Sequence, residues 1–344
     1  MKTPLRHICL LLSAFTGAYG QDAPDMRASS RHQDAWKLSV RWENDIFNGT
    51  DNYYTNGGDL NATSPELILD GGVLETLFAV GPFSQAPGTA YRYNLRFAQD
   101  ILTPRDYERP TIDPTDRPFA AWLRVAGALR AIEPHRMDVV EVSLGTTGEP
   151  ALGEFVQDNI HYLIGSPDPI GWDTQVPAEP TLQLSWMRYG RWREDFAHDL
   201  AFDIVPSFGG AVGNAHTFGS VGTDLRFGFR LPYDFGHSRI MPASRYGDTF
   251  AVRGDRQFAP GEFSVYGVLG FDARIVGRDF ALDGALFRDS PSVDKELFVA
   301  NFTTGIAMQW RRYTFSFRNT YRSPAFDNQP TWHLFGSFNF SVEL

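Results

Sequence analysis

Short oxygen-bearing side chains stand at both ends of a polar hairpin near the start of the chain. Asn44 and Asp45 close one alternating stretch, and Thr55 opens the next. Carboxylate, amide and hydroxyl oxygens are the ligands that Ca²⁺ and Mg²⁺ prefer, whereas Zn²⁺ usually takes Cys or His. We therefore expect a site for a hard cation at this hairpin, with Asp45, Thr55 and Asn44 as ligands. Asn, Asp and Gly also dominate ordinary turns, and we interpret the Asn48–Asn52 segment as a connection only.

A second candidate for chemistry is a histidine in the long connection 147–179. Residues 149–165 predict a helix, because a proline suits its first turn, apolar residues recur at helical spacing and a glycine suits its end. Gln157 and His161 are four residues apart and therefore neighbours on one side of that helix. A histidine on an amphipathic helix is more often a packing or surface residue than a catalyst, so the spacing alone leaves both interpretations open.

These residues together indicate a type of reaction. The sequence has no Gly-x-Ser-x-Gly turn at a strand–helix junction and no zinc-protease helix motif. Hydrolysis would then need a water molecule activated by a base, and His161 can take that proton while Gln157 orients the water or the imidazole. A bound cation would polarise an ester carbonyl. Arg117, in the proline-rich loop 103–118, is the candidate for binding a phosphate group of the substrate.

The start of the chain predicts export. A basic beginning, a short apolar run and the small residues Ala18 and Gly20 are typical of a signal peptide over residues 1–20. The single cysteine, Cys9, lies in the apolar run and does not follow a small-residue box, which argues against a lipoprotein signal. We expect residues 21–36 to be a periplasmic lead-in and the mature chain to have neither a disulfide nor thiol chemistry.

The end of the chain predicts how these residues are held. From residue 332 to 344 the even positions are almost wholly apolar and the odd positions mostly polar, which is the period of a β-strand with two different faces. A soluble sandwich also alternates, but export and large apolar residues up to the last position favour a membrane barrel. We predict an all-β fold for 37–344, a transmembrane antiparallel β-barrel of twelve strands. The predicted strands are 37–45, 54–63, 91–101, 120–132, 137–146, 181–190, 196–205, 223–231, 263–275, 298–310, 313–321 and 332–344.

The predicted topology brings the polar motifs to one rim. If strand 1 starts in the periplasm and runs outward, then Asn44, Asp45, Thr55 and the loops holding Arg117 and His161 all lie outside the cell, and the tight turn 133–136 lies in the periplasm. The net charge of −10 argues against general binding of nucleic acid. We expect a monomer in the bacterial outer membrane with its helix in an extracellular loop.

The motifs resemble those of the outer-membrane lipid A 3′-O-deacylase family, and their order covers most of the mature chain. The shared blocks are Glu43-Asn44-Asp45, Tyr54-Thr55-Asn56-Gly57, Asp116-Arg117-Pro118-Phe119-Ala120-Ala121-Trp122, Leu144-Gly145, Val156-Gln157, His161, Gly171-Trp172-Asp173, Glu179-Pro180 and Tyr321-Arg322-Ser323.

The resemblance implies a twelve-stranded barrel and Ca²⁺-dependent hydrolysis of the 3′-linked acyloxyacyl group of lipid A in lipopolysaccharide. It implies an active site between the barrel wall and a loop helix, formed here by Asn44, Asp45, Thr55, Gln157 and His161. An acidic residue follows the family histidine; in this chain Asp168, Asp173 and Glu179 are the alternatives, and Arg117 best matches the phosphate contact. Two other functions stay open, a porin or structural barrel without catalysis and an outer-membrane phospholipase.

Overall fold

The protein is an antiparallel β-barrel that closes on itself in a computed structural model. The structure describes residues 35–50, 52–109, 113–236 and 263–344, so the predicted signal peptide and all but the end of the lead-in lie outside the described residues. The strands are β1 (Lys37–Asn44), β2 (Tyr53–Thr63), β3 (Ala90–Thr103), β4 (Ala120–Ile132), β5 (Arg136–Thr147), β6 (Pro180–Gly190), β7 (Trp192–Asp195), β8 (Leu200–Gly213), β9 (His216–Phe229), β10 (Phe263–Asp279), β11 (Phe298–Trp310), β12 (Tyr313–Arg322) and β13 (His333–Glu343).

The thirteen strand segments make a barrel of twelve strands. Successive strands pair around the sheet, β1 pairs with β13, and β6 pairs with β8 to close the ring. β6 and the short β7 contact β8 in one register, with Tyr189 opposite Ser207 and Trp192 opposite Ile204. They are therefore one strand interrupted at Arg191, and the prediction of a twelve-stranded barrel is confirmed.

The two faces of the wall differ as the alternation predicts. On β1, Leu38 and Val40 are exposed while Arg41 and Glu43 are buried. Because successive side chains of a strand point to opposite faces, the apolar set faces outward and the charged set faces the lumen. In β13 the odd positions of the predicted pattern are the lumenal ones, and the even position Phe338 is exposed on the outside.

In the part of the chain that the structure describes, two helices of eight or more residues leave the barrel at opposite ends, and a single helical turn, Phe280–Asp283, follows β10. Helix α1 (Val73–Val80) lies in the connection between β2 and β3, and helix α2 (Gly153–Ile164) lies in the connection between β5 and β6. A 3₁₀ turn at Glu149–Ala151 precedes α2, so the proline of the predicted first helical turn belongs to that separate turn. Within the described residues, no helix is both long enough and apolar enough to cross a membrane.

Some predicted boundaries are wrong. The strands predicted at 196–205 and 223–231 are β8 and β9, which extend to residue 213 and back to residue 216. β8 continues through Pro206 and the Gly209-Gly210 pair, residue types that are uncommon inside strands, with regular pairing to β9. Helix α1 was not predicted at all.

Candidate active site

A pocket lies between α2 and the outer surface of the barrel wall. It encloses about 240 Å³ of space outside the protein atoms, part of it open to solvent, and its lining residues are Asn44, Ile46, Thr55, Asn56, Gln157, Ile160 and His161. On β1, Asn44 shares its face with the exposed Leu38 and Val40; on β2, Asn56 shares its face with the exposed Leu60. The pocket therefore opens on the side of the wall that faces the membrane.

A bulge in β2 turns a hydroxyl group toward this pocket. The pairing of β2 with β3 shifts between Tyr54 and Asn56, which leaves Thr55 as an extra residue. A bulge re-aims side chains and is common at barrel rims. Tyr54 consequently stays in the lumen, where its hydroxyl donates to Glu43 at 3.0 Å, while Thr55 lines the pocket and its Oγ1 lies 2.6 Å from Thr103 Oγ1.

Small residues let α2 lie close against the wall. A Cβ added to Gly153 would lie 2.6 Å from Ala121 Cβ and 2.6 Å from the ring of Trp172, so glycine is required there. Glycine also ends the helix, because Gly165 adopts a left-handed backbone conformation with a φ of 73° and donates its N–H to the His161 carbonyl. The helix thereby presents Gln157 and His161 to the wall, both buried, whereas the apolar Phe155 on the same helix is 65 % exposed.

A chain of hydrogen bonds orients the imidazole. Trp172 Nε1 donates to Gln157 Oε1 at 3.1 Å, which directs the Gln157 amide nitrogen toward His161 Nε2 at 3.4 Å. On the other side of the ring, His161 Nδ1 lies 2.5 Å from the Pro167 carbonyl oxygen, which accepts a hydrogen bond from the Nδ1–H group. These contacts assign the proton to Nδ1 and a lone pair to Nε2, the form that a general base requires.

One orienting acceptor is thus a backbone carbonyl, and of the three acids that the resemblance left open, Glu179 has other partners. Glu179 accepts from the backbone N–H groups of Leu286 and Phe287 at 2.9 and 2.6 Å, so its carboxylate is used elsewhere. Near the helix, burial raises the pKa of Asp158, as does the negative charge of Asp168, while His161 lowers it. The surroundings of the histidine are therefore acidic.

Two of the proposed metal ligands, Asn44 and Thr55, line the pocket, and the third, Asp45, follows Asn44 in the chain. Asp45 is fully buried, does not line the pocket itself, and accepts the N–H of Asn52 at 2.6 Å through Oδ2. Asn44 Oδ1 accepts the N–H of Ile46 at 2.8 Å. One carboxylate with amide and hydroxyl oxygens fits the chemistry of Ca²⁺ rather than that of a soft metal. The described ranges contain no group of three or more His, Cys, Asp or Glu that could hold a metal.

Arg117 does not line this pocket. Its side chain is buried, and its Nε and Nη2 atoms make no hydrogen bond within the described part of the chain. Burial lowers the pKa of Arg117, while the nearby charges of Asp279 and Asp116 raise it. The structure therefore brings together Asn44, Thr55, Gln157 and His161, with Asp45 next to them, and leaves Arg117 apart.

Sequence reasoning missed several neighbours of the site. In the sequence, Trp172 and Asn56 stand out only as parts of shared motifs, although Asn56 Oδ1 accepts from Trp42 Nε1 at 2.7 Å and from the amide of Asn44 at 3.4 Å. Tyr107, whose ring centroid lies 5.6 Å from that of His161, was not noted. No local spacing links these residues to the histidine, since each comes from a different loop or strand.

Comparison with known proteins identifies the family. A family model described as outer membrane protein LpxR matches residues 7–344. LpxR from Salmonella typhimurium has a similar structure, with a TM-score of 0.70 and 17 % identity over 89 % of this chain and 99 % of that chain. The β domain of the Bordetella autotransporter Brka reaches a TM-score of 0.44 with 10 % identity, over 90 % of this chain and 97 % of that chain.

Curated proteins provide no match to the sequence. The family model spans nearly the whole chain, and the similar barrel has the same closed architecture, so the localisation in the outer membrane follows. The chain belongs to the family of outer membrane protein LpxR, which confirms its resemblance to the outer-membrane lipid A 3′-O-deacylases.

Proposed function

We propose that this protein is an esterase that removes the 3′-linked acyloxyacyl group of lipid A in the outer leaflet, with Ca²⁺ as cofactor. The observation that carries the proposal is the position of the pocket on the outer wall, where Asn44 and Asn56 share a face with the membrane-exposed Leu60. A lipid ester can reach such a pocket from within the membrane, without entering the lumen.

His161 acts as the general base. Its Nε2 lone pair takes a proton from a water molecule as the water oxygen attacks the ester carbonyl, and a positioned base of this kind contributes roughly 10²–10⁴-fold to the rate. The Pro167 carbonyl stabilises the imidazolium that forms, because it accepts from Nδ1. Gln157, held by Trp172, orients the water or the imidazole, and Asn44 offers its amide to the reacting group.

Asp45, Thr55 and Asn44 are the residues that would hold the calcium ion. Their chemistry fits the ion, and all three lie where β1 ends and β2 begins. When bound, the ion supplies positive charge that polarises the ester carbonyl and stabilises the oxyanion. Arg117 is the candidate for a phosphate contact on the basis of its buried guanidinium, and the pocket rim faces the outside of the cell.

The barrel interior argues against the alternative of an open channel. Arg96 pairs with Glu141 at 2.9 Å and Arg124 with Asp100 at 2.7 Å, and all four side chains are buried in the lumen. At the pocket end, aromatic rings of Trp122 and other residues form a buried cluster across the lumen. Porins instead hold a water-filled passage lined by polar groups.

The test is release of acyl chains by purified protein from lipid A in mixed micelles, followed by mass spectrometry. We expect a product that has lost the 3′-linked group, loss of activity in EGTA and recovery with Ca²⁺. Loss of acyl chains from phospholipids instead would identify a phospholipase. Activity that persists in the chelator would contradict the metal assignment but not the deacylation.

A matched pair of variants localises the metal. Asp45→Asn removes the one carboxylate of the set, so we expect the Ca²⁺ concentration for half-maximal activity to rise at least about tenfold. Asp113→Asn changes an exposed acid in a loop at the same end of the barrel, and its Ca²⁺ dependence should equal that of the wild type. Equal curves for Asp45→Asn and the wild type would remove Asp45 from the ligand set.

A further inference from the structure

We propose that the segment of residues 64–89, which contains α1 and is called here the α1 segment, is an anchor embedded in the phospholipid bilayer at the barrel end opposite the candidate active site. The segment connects β2 to β3 at that end. The proposal concerns a membrane contact and does not depend on the hydrolysis proposed above.

The α1 segment packs on the outside of the barrel and not across its opening. Phe78 is 1 % exposed, and its ring centroid lies 4.5 Å from that of Tyr91 and 4.9 Å from that of Phe83. Tyr91 belongs to the outward face of β3, the face on which Leu95 and Phe97 are exposed. Helix α1 therefore occupies a place that lipid would otherwise fill.

The rest of the helix is apolar on the side that the wall does not cover. Val73, Leu77 and Val80 share one side of α1 at helical spacing, and Val73 and Val80 are 76 % and 77 % exposed. Just before the helix, Ile68 is 89 % exposed. Glu75 lies on the other side, where its carboxylate accepts the N–H of Gly71 at 2.5 Å. A helix with this division lies in a membrane interface with its apolar side toward the acyl chains.

Charged residues lie on the outer wall beside the α1 segment. Asp138 shares the outward face of β5 with the exposed Val142, and it pairs with Arg136 at 2.6 Å and with Arg188 at 2.7 Å. Arg188 also donates to the carbonyl of Pro82 at 3.2 Å, which ties the α1 segment to the wall. Arg188, paired with Asp138, is thus one of the contacts that hold the α1 segment against the wall.

Continuity of surface is the reason to assign lipid as the occupant. The exposed apolar side of α1 adjoins the outward face of β3, and the outer wall of a membrane barrel is covered by acyl chains. Moving apolar side chains out of water is favourable, so several exposed residues such as Val73 and Val80 side by side favour insertion.

The test places an environment-sensitive fluorophore on single cysteines in the full chain, reconstituted in vesicles of phosphatidylethanolamine and phosphatidylglycerol. Val73→Cys probes the apolar side of α1, and Glu75→Cys, two residues away, is the matched control on the polar side. The wild-type chain, labelled in the same way, measures any signal from Cys9. Each sample is quenched by lipids that carry a nitroxide on the acyl chain and, separately, by aqueous iodide.

We expect the Val73→Cys label to be quenched several-fold more strongly by the lipid nitroxide than the Glu75→Cys label, and the order to reverse with iodide. Equal iodide quenching of both labels, with little effect of the lipid nitroxide, would overturn the proposal. Each variant is first tested for folding by its resistance to unfolding in unheated detergent gels. A misfolded variant is therefore recognised before the quenching is measured.

Discussion

Helices α1 and α2 both pack on the outer wall of the barrel, at opposite ends, and they do so in opposite ways. Helix α1 turns an aromatic ring, Phe78, toward the wall and fills the contact with other rings. Helix α2 turns Gln157 and His161 toward the wall and leaves a pocket between them and Asn44. The comparison teaches that a helix beside the wall becomes a candidate site only where polar side chains meet polar side chains.

The same contrast explains what each helix exposes. In α2 the apolar Phe155, Tyr162 and Leu163 are exposed, because its buried side is occupied by the polar pair. In α1 the apolar residues are divided between the wall and the outside. Both helices thus expose apolar side chains, and only α2 also turns a polar pair toward the wall.

The largest expected effect is that of removing the base. His161→Ala leaves the pocket without its proton acceptor, so we expect turnover of lipid A to fall by roughly 10²–10⁴-fold with folding unchanged. His135→Ala removes an exposed histidine at the opposite end and should retain full activity. Mass spectrometry of the released acyl chains measures both. Wild-type turnover by His161→Ala would contradict the catalytic role of His161, and α2 would then differ from α1 in packing only.

A smaller effect is expected from the residue that positions Gln157. Trp172→Phe keeps an aromatic side chain but replaces the indole by a smaller ring and removes the N–H that donates to Gln157 Oε1. Loss of a hydrogen bond worth about 1 kcal/mol lowers turnover about fivefold. We expect the change in kcat and not in KM. Trp332→Phe, an exposed tryptophan of the same rim, is the control. A change in KM alone would mean that Trp172 contacts substrate and does not act through Gln157.

The smallest effect on turnover is expected at α1. Phe78→Ala removes the ring that attaches α1 to the wall, and truncation of a buried phenylalanine typically costs about 3–5 kcal/mol. Hydrogen exchange should therefore show faster exchange of the amides of α1, while lipid A turnover stays within about twofold. Asp70→Asn, at an exposed position just before the helix, should change neither. Strong loss of turnover in Phe78→Ala would show that the two ends are coupled.

The wall was predictable because each strand repeats one simple rule. In β13 the alternation of Phe338 with Asn339 separates lipid from lumen, and the structure follows it. Helix α1 was not predictable in the same way, since its eight residues are too few to establish a helical period and follow a Gly-Gly pair. Its helix is stabilised by the contact of Phe78 with Tyr91, which no local pattern encodes.

The sequence predicts which residues form the candidate site better than it predicts where on the barrel they lie. Gln157 and His161 are joined by helical spacing, and Asn44 and Thr55 by one hairpin. Their common position on the outer wall depends on the extra residue in β2 and on the return of a long loop over that wall. The orienting role of Pro167 could not be predicted from residue type, because the acceptor is a backbone carbonyl and every residue has one.

The outward opening of the pocket has a kinetic consequence. A substrate that arrives sideways through a leaflet is confined to two dimensions, so its encounter rate with Asn44 and His161 is set by its mole fraction among the surrounding lipids. Diluting the substrate with inert detergent or lipid should slow turnover even when the bulk concentration is constant. Diluting whole vesicles with buffer should not.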